Sequence, residues 1–195
     1  MSNMKSVAIL GVGKMGSAMA KELATAGFQV TLWNRNQSVA DKLASEINLP
    51  TVTVSATPKA ALENVDIALC LFTNGMVTQS VLLDDTQVLE GVKSNLIIVD
   101  MGTSGVESAK ALASTLASKK MAFIDAPVSG SVVTIAAHQL LVMASGDEAV
   151  IQQAIPVFSV FAKKTAYLGQ AGAGQAMKLA VNLMVHTLNA AVSEG

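Results

Sequence analysis

The sequence predicts a doubly wound α/β fold, in which helices cover both faces of a mainly parallel β-sheet. Short apolar runs of strand length alternate along the chain with segments whose apolar residues recur at helical spacing. The strand-like runs are apolar almost throughout, which is typical of parallel strands buried on both faces. Right-handed crossovers between such strands give the doubly wound arrangement.

The pattern begins with Ser6–Leu10, a short apolar run that is β-branched at Val7 and Ile9. A helix follows over Met15–Ala26, and Gly27 ends it. Gln29–Trp33 is the second strand, after which Ser38 is predicted to cap the next helix. The further predictions, in chain order, are helix Ser38–Ile47, strand Thr51–Val54, helix Thr57–Glu63, strand Ile67–Phe72, helix Met76–Leu83, strand Asn95–Asp100, helix Gly105–Lys119 and strand Ala122–Ala126.

After Pro127 the alternation is less regular but continues. Leu140–Ser145 is predicted as a strand, Asp147–Phe161 as a helix and Ala166–Gly169 as a strand. We expect these elements to extend the sheet.

The last predicted element is a long helix over Ala171–Glu194. Its polar residues are spaced by 3, 4, 4, 3 and 4 positions and therefore form one narrow stripe: Gln175, Lys178, Asn182, His186, Asn189 and Ser193. A helix that is otherwise so apolar must be buried on most sides. Either a partner chain covers it or the chain is a piece of a longer protein, and the second interpretation is favoured. We therefore expect residues 1–170 to form one domain and residues 171–195 to begin an interdomain helix.

Composition excludes several classes of protein. Hydrophobic residues make up 51% of the 195 residues and charged residues 14%, so the chain is not disordered. The net charge is −1 and no run of Lys or Arg exceeds two, which argues against nucleic-acid binding. The longest stretch without a charged side chain, Ala126–Gly146, contains Pro127 and Gly130 and is not expected to span a membrane. The single cysteine, Cys70, excludes an intrachain disulfide and fits a cytoplasmic location.

A glycine-rich loop lies between the first strand and the first helix. Its sequence matches GxGxxG: Gly11, Val12, Gly13, Lys14, Met15 and Gly16. Gly11 permits the tight turn, Gly13 lets a pyrophosphate approach the backbone, and Gly16 lets the helix pack closely on the sheet. The free amides at the helix N-terminus then face the phosphates. The alternative is a tight strand–helix turn without a ligand.

The end of the second strand indicates which dinucleotide binds. NAD sites usually carry Asp or Glu there, whereas this sequence has Asn34, Arg35 and Asn36. A guanidinium can pair with a 2′-phosphate that a carboxylate would repel. The sequence therefore predicts NADP(H), with Arg35 as the main 2′-phosphate ligand and Asn34 and Asn36 as lesser contacts. A solvated surface arginine is the alternative.

Two later segments indicate a substrate site. Ser129 and Gly130 follow a strand, where ligands of open α/β sheets bind, although an ordinary turn would look the same. Lys178 and Asn182 lie one turn apart on the polar stripe of the last helix. A lysine in a poorly charged pocket is suited to acid–base chemistry, and a surface lysine is the alternative.

Together these motifs resemble those of the β-hydroxyacid dehydrogenase family, which includes 3-hydroxyisobutyrate and 6-phosphogluconate dehydrogenases. The matching segments, in the family's order, are the GVGKMG loop, NRN at residues 34–36, DMGT at residues 100–103, DAPVSG at residues 125–130 and GxGxxxKxxxN from Gly172 to Asn182. The resemblance implies a Rossmann-like NADP-binding domain. It also implies a long interdomain helix, an all-helical C-terminal domain that this chain lacks, and homodimers or homotetramers.

The resemblance also implies roles for particular residues. Lys178 matches the general acid/base and Asn182 a substrate-holding asparagine. Ser129 and Gly130 match the pair that binds the substrate carboxylate, and Thr103 lies near the nicotinamide and substrate. Phe72 and Thr73, after the fourth strand, match the segment whose backbone passes the adenosine ribose in the family.

The expected activity is hydride transfer between NADP(H) and a small 3-hydroxy acid or semialdehyde, weak or absent in this chain alone. The partner is then a small hydroxy acid, keto acid or aldehyde. Departures from the family pattern fall on the substrate side: Gly102, Ser131, Thr134, His138 and Leu183. His138 is interpreted as a packed or solvent-edge histidine. The alternatives are an NADPH-dependent imine reductase, against which Lys178 argues, and a non-catalytic NADP-binding module.

Overall fold

The computed structural model describes residues 6–194 and confirms the doubly wound fold. The predicted domains also include residues 1–5 and 195, which lie outside the described residues. The strands are β1 (Ser6–Leu10), β2 (Gln29–Trp33), β3 (Val52–Val54), β4 (Ile67–Cys70), β5 (Ile97–Asp100), β6 (Ala122–Asp125), β7 (Val128–Ser129), β8 (Leu140–Gly146) and β9 (Ala162–Tyr167). The helices are α1 (Lys14–Thr25), α2 (Gln37–Ile47), α3 (Pro58–Leu62), α4 (Gly75–Gln79), α5 (Val106–Ser118), α6 (Val132–Ala136), α7 (Glu148–Phe158) and α8 (Ala173–Ser193).

The first six strands form a parallel sheet in the order β3-β2-β1-β4-β5-β6. The direction of the chain reverses at β8, which pairs antiparallel with β6 and β7. β9 then adds to β8 in parallel, so the segment after Pro127 extends the sheet as predicted. The order places β1 between β2 and β4, where the crossovers change direction and ligands of this fold bind.

Both faces of the sheet are buried, as the apolar strands predicted. Val7 and Ile9 of β1 pack into one hydrophobic cluster with Met19 and Leu23 of α1. The alternate residues of the same strand, Ala8 and Leu10, belong to a second cluster on the opposite face. Because neighbouring side chains of a strand point to opposite faces, this division shows that helices cover the sheet on both sides.

Several predicted boundaries are wrong, each for a physical reason. α2 begins one residue earlier than predicted, because Asn36 rather than Ser38 caps it by accepting a hydrogen bond from Ser38 N. The predicted helix Met76–Leu83 is divided into α4 and a π-helical turn, Ser80–Asp84. β9 begins at Ala162 and not at the predicted Ala166. The prediction was wrong because exposed lysines, which are typical of an edge strand, interrupt the apolar pattern at the start of β9. The two-residue strand β7 exists only through its pairing with β8.

The last helix, α8, confirms the prediction of a long helix but is buried only at its beginning. Gly174 and Gln175 are buried, Lys178 and Asn182 are half-buried, and the residues beyond Asn182 are exposed. The exposed side chains include Leu183, Met184, Leu188 and Val192, which are 61–80% accessible. Within residues 6–194, α8 included, no helix has the length and apolar character needed to cross a lipid bilayer.

Candidate cofactor and active site

The three motif glycines of the first loop do different things. Gly11 has a φ of +97°, and a Cβ there would lie 2.7 Å from the Leu71 carbonyl oxygen. A Cβ on Gly16 would overlap the Gly11 carbonyl oxygen, so Gly16 allows α1 to approach the sheet. A Cβ on Gly13, in contrast, would meet nothing within 4 Å. Packing within the protein therefore explains Gly11 and Gly16, whereas the open space at Gly13 suits a bound group.

The N-terminus of α1 faces the same loop. Its first intrahelical hydrogen bond runs from Ser17 N to the Gly13 carbonyl at 2.8 Å, so the three preceding helix amides have no intrahelical acceptor. No side chain caps this end, and its first turn carries no acidic residue. Free amides and the positive end of a helix dipole favour an anion such as a pyrophosphate.

A cleft of about 620 Å³ opens beside the glycine loop at the carboxyl ends of β2, β1 and β4. We call it the dinucleotide cleft. It is lined by Gly11, Gly13, Trp33, Asn34, Arg35, Asn36, Leu71, Phe72, Thr73, Asn74, Met76, Val77, Ser80 and Val81. The rings of Trp33 and Phe72 pack edge to face there, with centroids 6.3 Å apart. Phe72 was predicted from the sequence, whereas Trp33 was not, because it ends β2 and has the pattern of an ordinary buried strand residue.

The segment 34–36 forms the rim of the dinucleotide cleft. Asn34 Oδ1 accepts a hydrogen bond from Val12 N at 3.3 Å, and Asn34 Nδ2 donates to the Asn36 carbonyl at 3.0 Å. Asn36 Oδ1 accepts from both the amide and the hydroxyl of Ser38. These bonds fix the turn and leave Arg35 exposed on the rim. Arg35 forms no ion pair with any of residues 6–194.

A second cleft of about 280 Å³ adjoins the first and shares Leu71, Phe72 and Thr73 with it. We call it the lysine cleft. Its remaining lining residues are Met15, Met101, Gly102, Thr103, Val128, Gly130 and Lys178. Partial burial lowers the pKa of the Lys178 ammonium below its usual value. The structure thus brings Lys178 together with Thr103 and Gly130, from three separate motifs.

Other candidate residues do not line either cleft. Ser129 and Asn182 are half-buried, and each lies on a segment that contributes another residue to the lysine cleft. Of the glycine-loop residues, Val12 is buried and Lys14 is exposed. Their roles stay predictions. His138, which is mostly exposed, lies with its Nε2 3.0 Å from Glu22 Oε2 of α1. This confirms that His138 is a solvent-edge residue.

A buried polar network behind the lysine cleft was not predicted. It joins Asp100, Ser104, Asp125, Ser145 and Gln175, of which all but Ser104 have no accessible surface. The two carboxyls meet because Asp100 and Asp125 are register partners at the ends of β5 and β6. The sequence shows an aspartate at the end of each of these two apolar strands. Predicting that the two aspartates pair would have required the order of the strands in the sheet.

Asp100 is held under the loop that carries Thr103. Asp100 Oδ2 accepts a hydrogen bond from Ser104 Oγ at 2.6 Å, and Oδ1 accepts one from Gly102 N at 3.1 Å. Burial, with a smaller contribution from the charge of Asp125, raises the pKa of Asp100 to about 6, although these hydrogen bonds oppose the rise. Asp100 therefore holds the loop that carries Thr103 but does not itself line the lysine cleft.

The difference between Gly13 and Gly16 can be tested by placing alanine at each position. Gly13→Ala should cost under about 1 kcal/mol of stability, since the helix cap changes only from Gly to Ala. It should nevertheless weaken NADPH binding at least about tenfold, because the new methyl group occupies the open space. Gly16→Ala should destabilise the fold itself, by about 1–3 kcal/mol. Thermal unfolding and calorimetric titration measure both effects, and unchanged NADPH affinity in Gly13→Ala would contradict this assignment.

Comparisons with known proteins agree with this geometry. The family described as the NAD-binding domain of 6-phosphogluconate dehydrogenase matches residues 6–169. Glyoxylate/succinic semialdehyde reductase 1 of Arabidopsis thaliana is 34% identical over 189 residues, covering 97% of this chain. The structure of Mycobacterium tuberculosis 3-hydroxyisobutyrate dehydrogenase with L-serine superposes with a TM-score of 0.89 at 30% identity, covering 98% of this chain. An imine reductase from Pseudomonas sp. superposes with a TM-score of 0.87 at 25% identity, over 97% of this chain and 64% of its own.

These proteins are longer than this chain, which spans 64% of the Arabidopsis reductase and 63% of the mycobacterial dehydrogenase. The similarity nevertheless runs through the whole sheet and α8. The glycine loop, the dinucleotide cleft and the matched residues 6–169 all indicate an NAD(P)-binding domain. The chain therefore belongs to the family of 6-phosphogluconate and 3-hydroxyisobutyrate dehydrogenases, as the resemblance of its motifs implied.

Proposed function

We propose that this chain is the NADP(H)-binding part of an oxidoreductase that acts on a small 3-hydroxy acid or semialdehyde. The observation that carries the proposal is the position of Lys178. Its side chain lines a cleft with Thr103 and Gly130, and that cleft is continuous with the dinucleotide cleft through Leu71, Phe72 and Thr73. A proton-carrying side chain thus lines a cleft that adjoins the dinucleotide cleft, as a hydride-transfer reaction at a carbonyl requires.

The residues present fit NADP(H). The open space at Gly13 and the free amides of α1 would hold the pyrophosphate. Arg35, exposed on the rim and without an ion-pair partner in residues 6–194, would hold the 2′-phosphate. Trp33 and Phe72 offer an apolar surface to the adenosine end. When bound, the nicotinamide supplies or receives the hydride.

Lys178 moves the proton. In reduction its ammonium donates a proton to the carbonyl oxygen of the substrate, and in oxidation its neutral amine accepts the hydroxyl proton. Burial lowers the pKa of Lys178, so its neutral form is more accessible than that of an exposed lysine. Ser129, Gly130 and Asn182 would hold the substrate, the first two at its carboxylate.

Two further assignments belong to the same proposal. We assign residues 1–170 to the cofactor-binding domain and α8 to a helix between domains. Exposed apolar side chains on α8, such as Leu183 and Val192, support cover by further polypeptide, as in a homodimer or homotetramer. A cytoplasmic location agrees with the single buried cysteine, Cys70.

An imine reductase is the second candidate, because the Pseudomonas imine reductase superposes over 97% of this chain. The two candidates differ in the acid they require. Lys178 in the lysine cleft favours an oxygen-centred carbonyl reaction, since its ammonium can protonate the oxygen as hydride arrives. A non-catalytic module would use the dinucleotide cleft alone and leave Lys178 without a function.

The first experiment is a calorimetric titration of this chain with NADPH and with NADH. We expect binding of both, with NADPH preferred, and binding of neither would contradict the proposal. Because turnover by this chain alone is expected to be weak or absent, single-turnover oxidation of bound NADPH is followed in the full-length protein, with glyoxylate, succinic semialdehyde or a cyclic imine added in excess. Oxidation by the aldehydes alone supports the proposal, oxidation by the imine alone supports the second candidate, and tight NADPH binding without oxidation supports the non-catalytic module.

A further inference from the structure

Gln175 has no accessible surface, and its side chain bonds to two segments of the chain, the 102–105 loop and Asp125 at the end of β6. Its carbonyl Oε1 accepts hydrogen bonds from the amides of Ser104 and Gly105, at 2.9 and 3.1 Å. Its Nε2 donates to the Gly102 carbonyl at 3.0 Å and to Asp125 Oδ1 at 2.8 Å. Two donors and two acceptor sites are all that a carboxamide has, so every one is used.

The partners also fix which way the carboxamide points. The amides of Ser104 and Gly105 can only donate, and the Gly102 carbonyl can only accept. A carboxamide satisfies both sets at once, and its second N–H reaches Asp125 as well. Asp125 supports this arrangement from the other side, since its Oδ2 accepts from Gly172 N, Gln175 N and Ser145 Oγ. The first turn of α8 is thereby held against the end of β6.

Gln175 connects two segments that line the lysine cleft. The loop that it binds, residues 102–105, carries Thr103, which lines the lysine cleft together with Lys178. Lys178 follows Gln175 by three residues on the same face of α8. Movement of the carboxamide would therefore change the separation of Lys178 and Thr103 before it changed the glycine loop or Arg35.

We propose that Gln175 is a positioning residue, which sets the place of Lys178 relative to the loop that carries Thr103. The inference rests on the proposed function for the role of Lys178, but the geometry itself can be tested without turnover. Gly174 supports it independently, since a Cβ there would lie 2.5 Å from the Met143 carbonyl and 3.0 Å from Asp125 Oδ2. The chain thus keeps the start of α8 close enough to Asp125 for the carboxamide to reach all four partners.

The test replaces Gln175 with methionine, which has a similar length but cannot form these bonds. In the full chain, hydrogen exchange of the Ser104 and Gly105 amides should accelerate at least about tenfold. The titration midpoint of Lys178, followed by NMR at its ε-carbon, should rise toward that of an exposed lysine. NADPH affinity should change less than about threefold, because the phosphate-binding amides lie in α1. Gln153→Met, at an exposed position of α7, is the matched control.

A folded Gln175→Met protein with unchanged Ser104 and Gly105 exchange and an unchanged Lys178 midpoint would overturn the proposal. If that variant does not fold, Gln175→Glu serves instead, because its carboxyl keeps the acceptors for both amides. Ionised, it repels Asp125 and cannot donate to Gly102, whereas protonated it can donate again. At high pH we expect the Lys178 NMR signal of Gln175→Glu to differ from that of the wild type, and at low pH we expect the two signals to agree. Agreement of the two signals at every pH would overturn the proposal.

Turnover separates this proposal from the proposed function. If Gln175→Met lowers kcat at least about tenfold with an unchanged KM for NADPH, both stand. If Lys178→Met abolishes reduction but Gln175→Met does not change kcat, only the positioning role fails. If Lys178→Met leaves reduction intact while the amide exchange still responds to Gln175→Met, the proposed function fails and the structural coupling remains.

Discussion

Replacing Lys178 with methionine is expected to lower kcat for carbonyl reduction by about 100- to 10,000-fold, the usual contribution of a positioned general acid. Methionine keeps much of the apolar stem that lines the lysine cleft but carries no proton. The affinity for NADPH should change less than about threefold, because the phosphate-binding amides and Arg35 lie in the other cleft. Stopped-flow NADPH oxidation measures the rate, and calorimetry measures the affinity.

The pH dependence gives the same prediction a second readout. Reduction needs the ammonium form of Lys178, so the rate should fall as the pH rises through the pKa of this group. Because burial lowers that pKa, the fall should begin at a lower pH than an exposed lysine would give. The descending limb should be absent in Lys178→Met and present in Lys163→Met, a control at an exposed position of β9. A Lys178→Met enzyme with near-normal kcat would contradict the assignment.

Local chemistry explains why so much of the dinucleotide cleft could be predicted from the sequence. Gly11, Gly13 and Gly16 lie within one strand–loop–helix unit, and Gly16 packs against Gly11 and Ile9 of the same unit. Gly11 also meets Leu71 and Phe72, which follow β4, the strand beside β1 in the sheet. Arg35 follows β2 directly, and parallel strands place their carboxyl ends at one edge of the sheet. Such sites need only parallel strands that run in one direction, which the alternation of strands and helices already indicates.

The network behind the lysine cleft could not be predicted in this way, because its members meet only through long-range pairing. Asp100 and Asp125 are 25 positions apart and become neighbours through the register of β5 and β6. Gln175 looked like one member of a polar stripe on α8. The structure shows that the stripe passes from a buried residue, through half-buried Lys178 and Asn182, to exposed positions. A sequence stripe gives the direction of side chains but not the depth at which each lies.

The reversal after Pro127 shows a similar limit. β7 has two residues and no pattern of its own, so only its hydrogen bonds to β8 define it. It nonetheless places Val128 at the lysine cleft and holds Ser129 beside it. Ser131 and Thr134, which depart from the family pattern, lie at the start of α6, where the Ser131 amide donates to Thr134 Oγ1 at 2.7 Å. The substrate side of the site is therefore shaped by residues whose effect depends on tertiary contacts.

Reversing the charge at position 35 is expected to have the second largest effect. In Arg35→Asp, NADPH should bind about 100- to 1,000-fold more weakly: losing a charge-assisted hydrogen bond costs about 1.5–3 kcal/mol, and the introduced carboxylate also repels the 2′-phosphate. NADH should bind at least as well as before, because a carboxylate at this position can accept a hydrogen bond from the ribose 2′-hydroxyl. Parallel calorimetric titrations of the two cofactors measure the change in preference.

The control for this experiment must carry the same change in net charge. Lys163→Asp provides it at an exposed position of β9, a strand that contributes no residue to the dinucleotide cleft. Because Arg35 is exposed, salt should screen its attraction to the phosphate, so the wild-type preference for NADPH should shrink as ionic strength rises. In Arg35→Asp, salt should screen the repulsion instead, so the ratio of NADPH to NADH affinity should rise. An unchanged ratio of NADPH to NADH affinity in Arg35→Asp would show that the 2′-phosphate is held elsewhere.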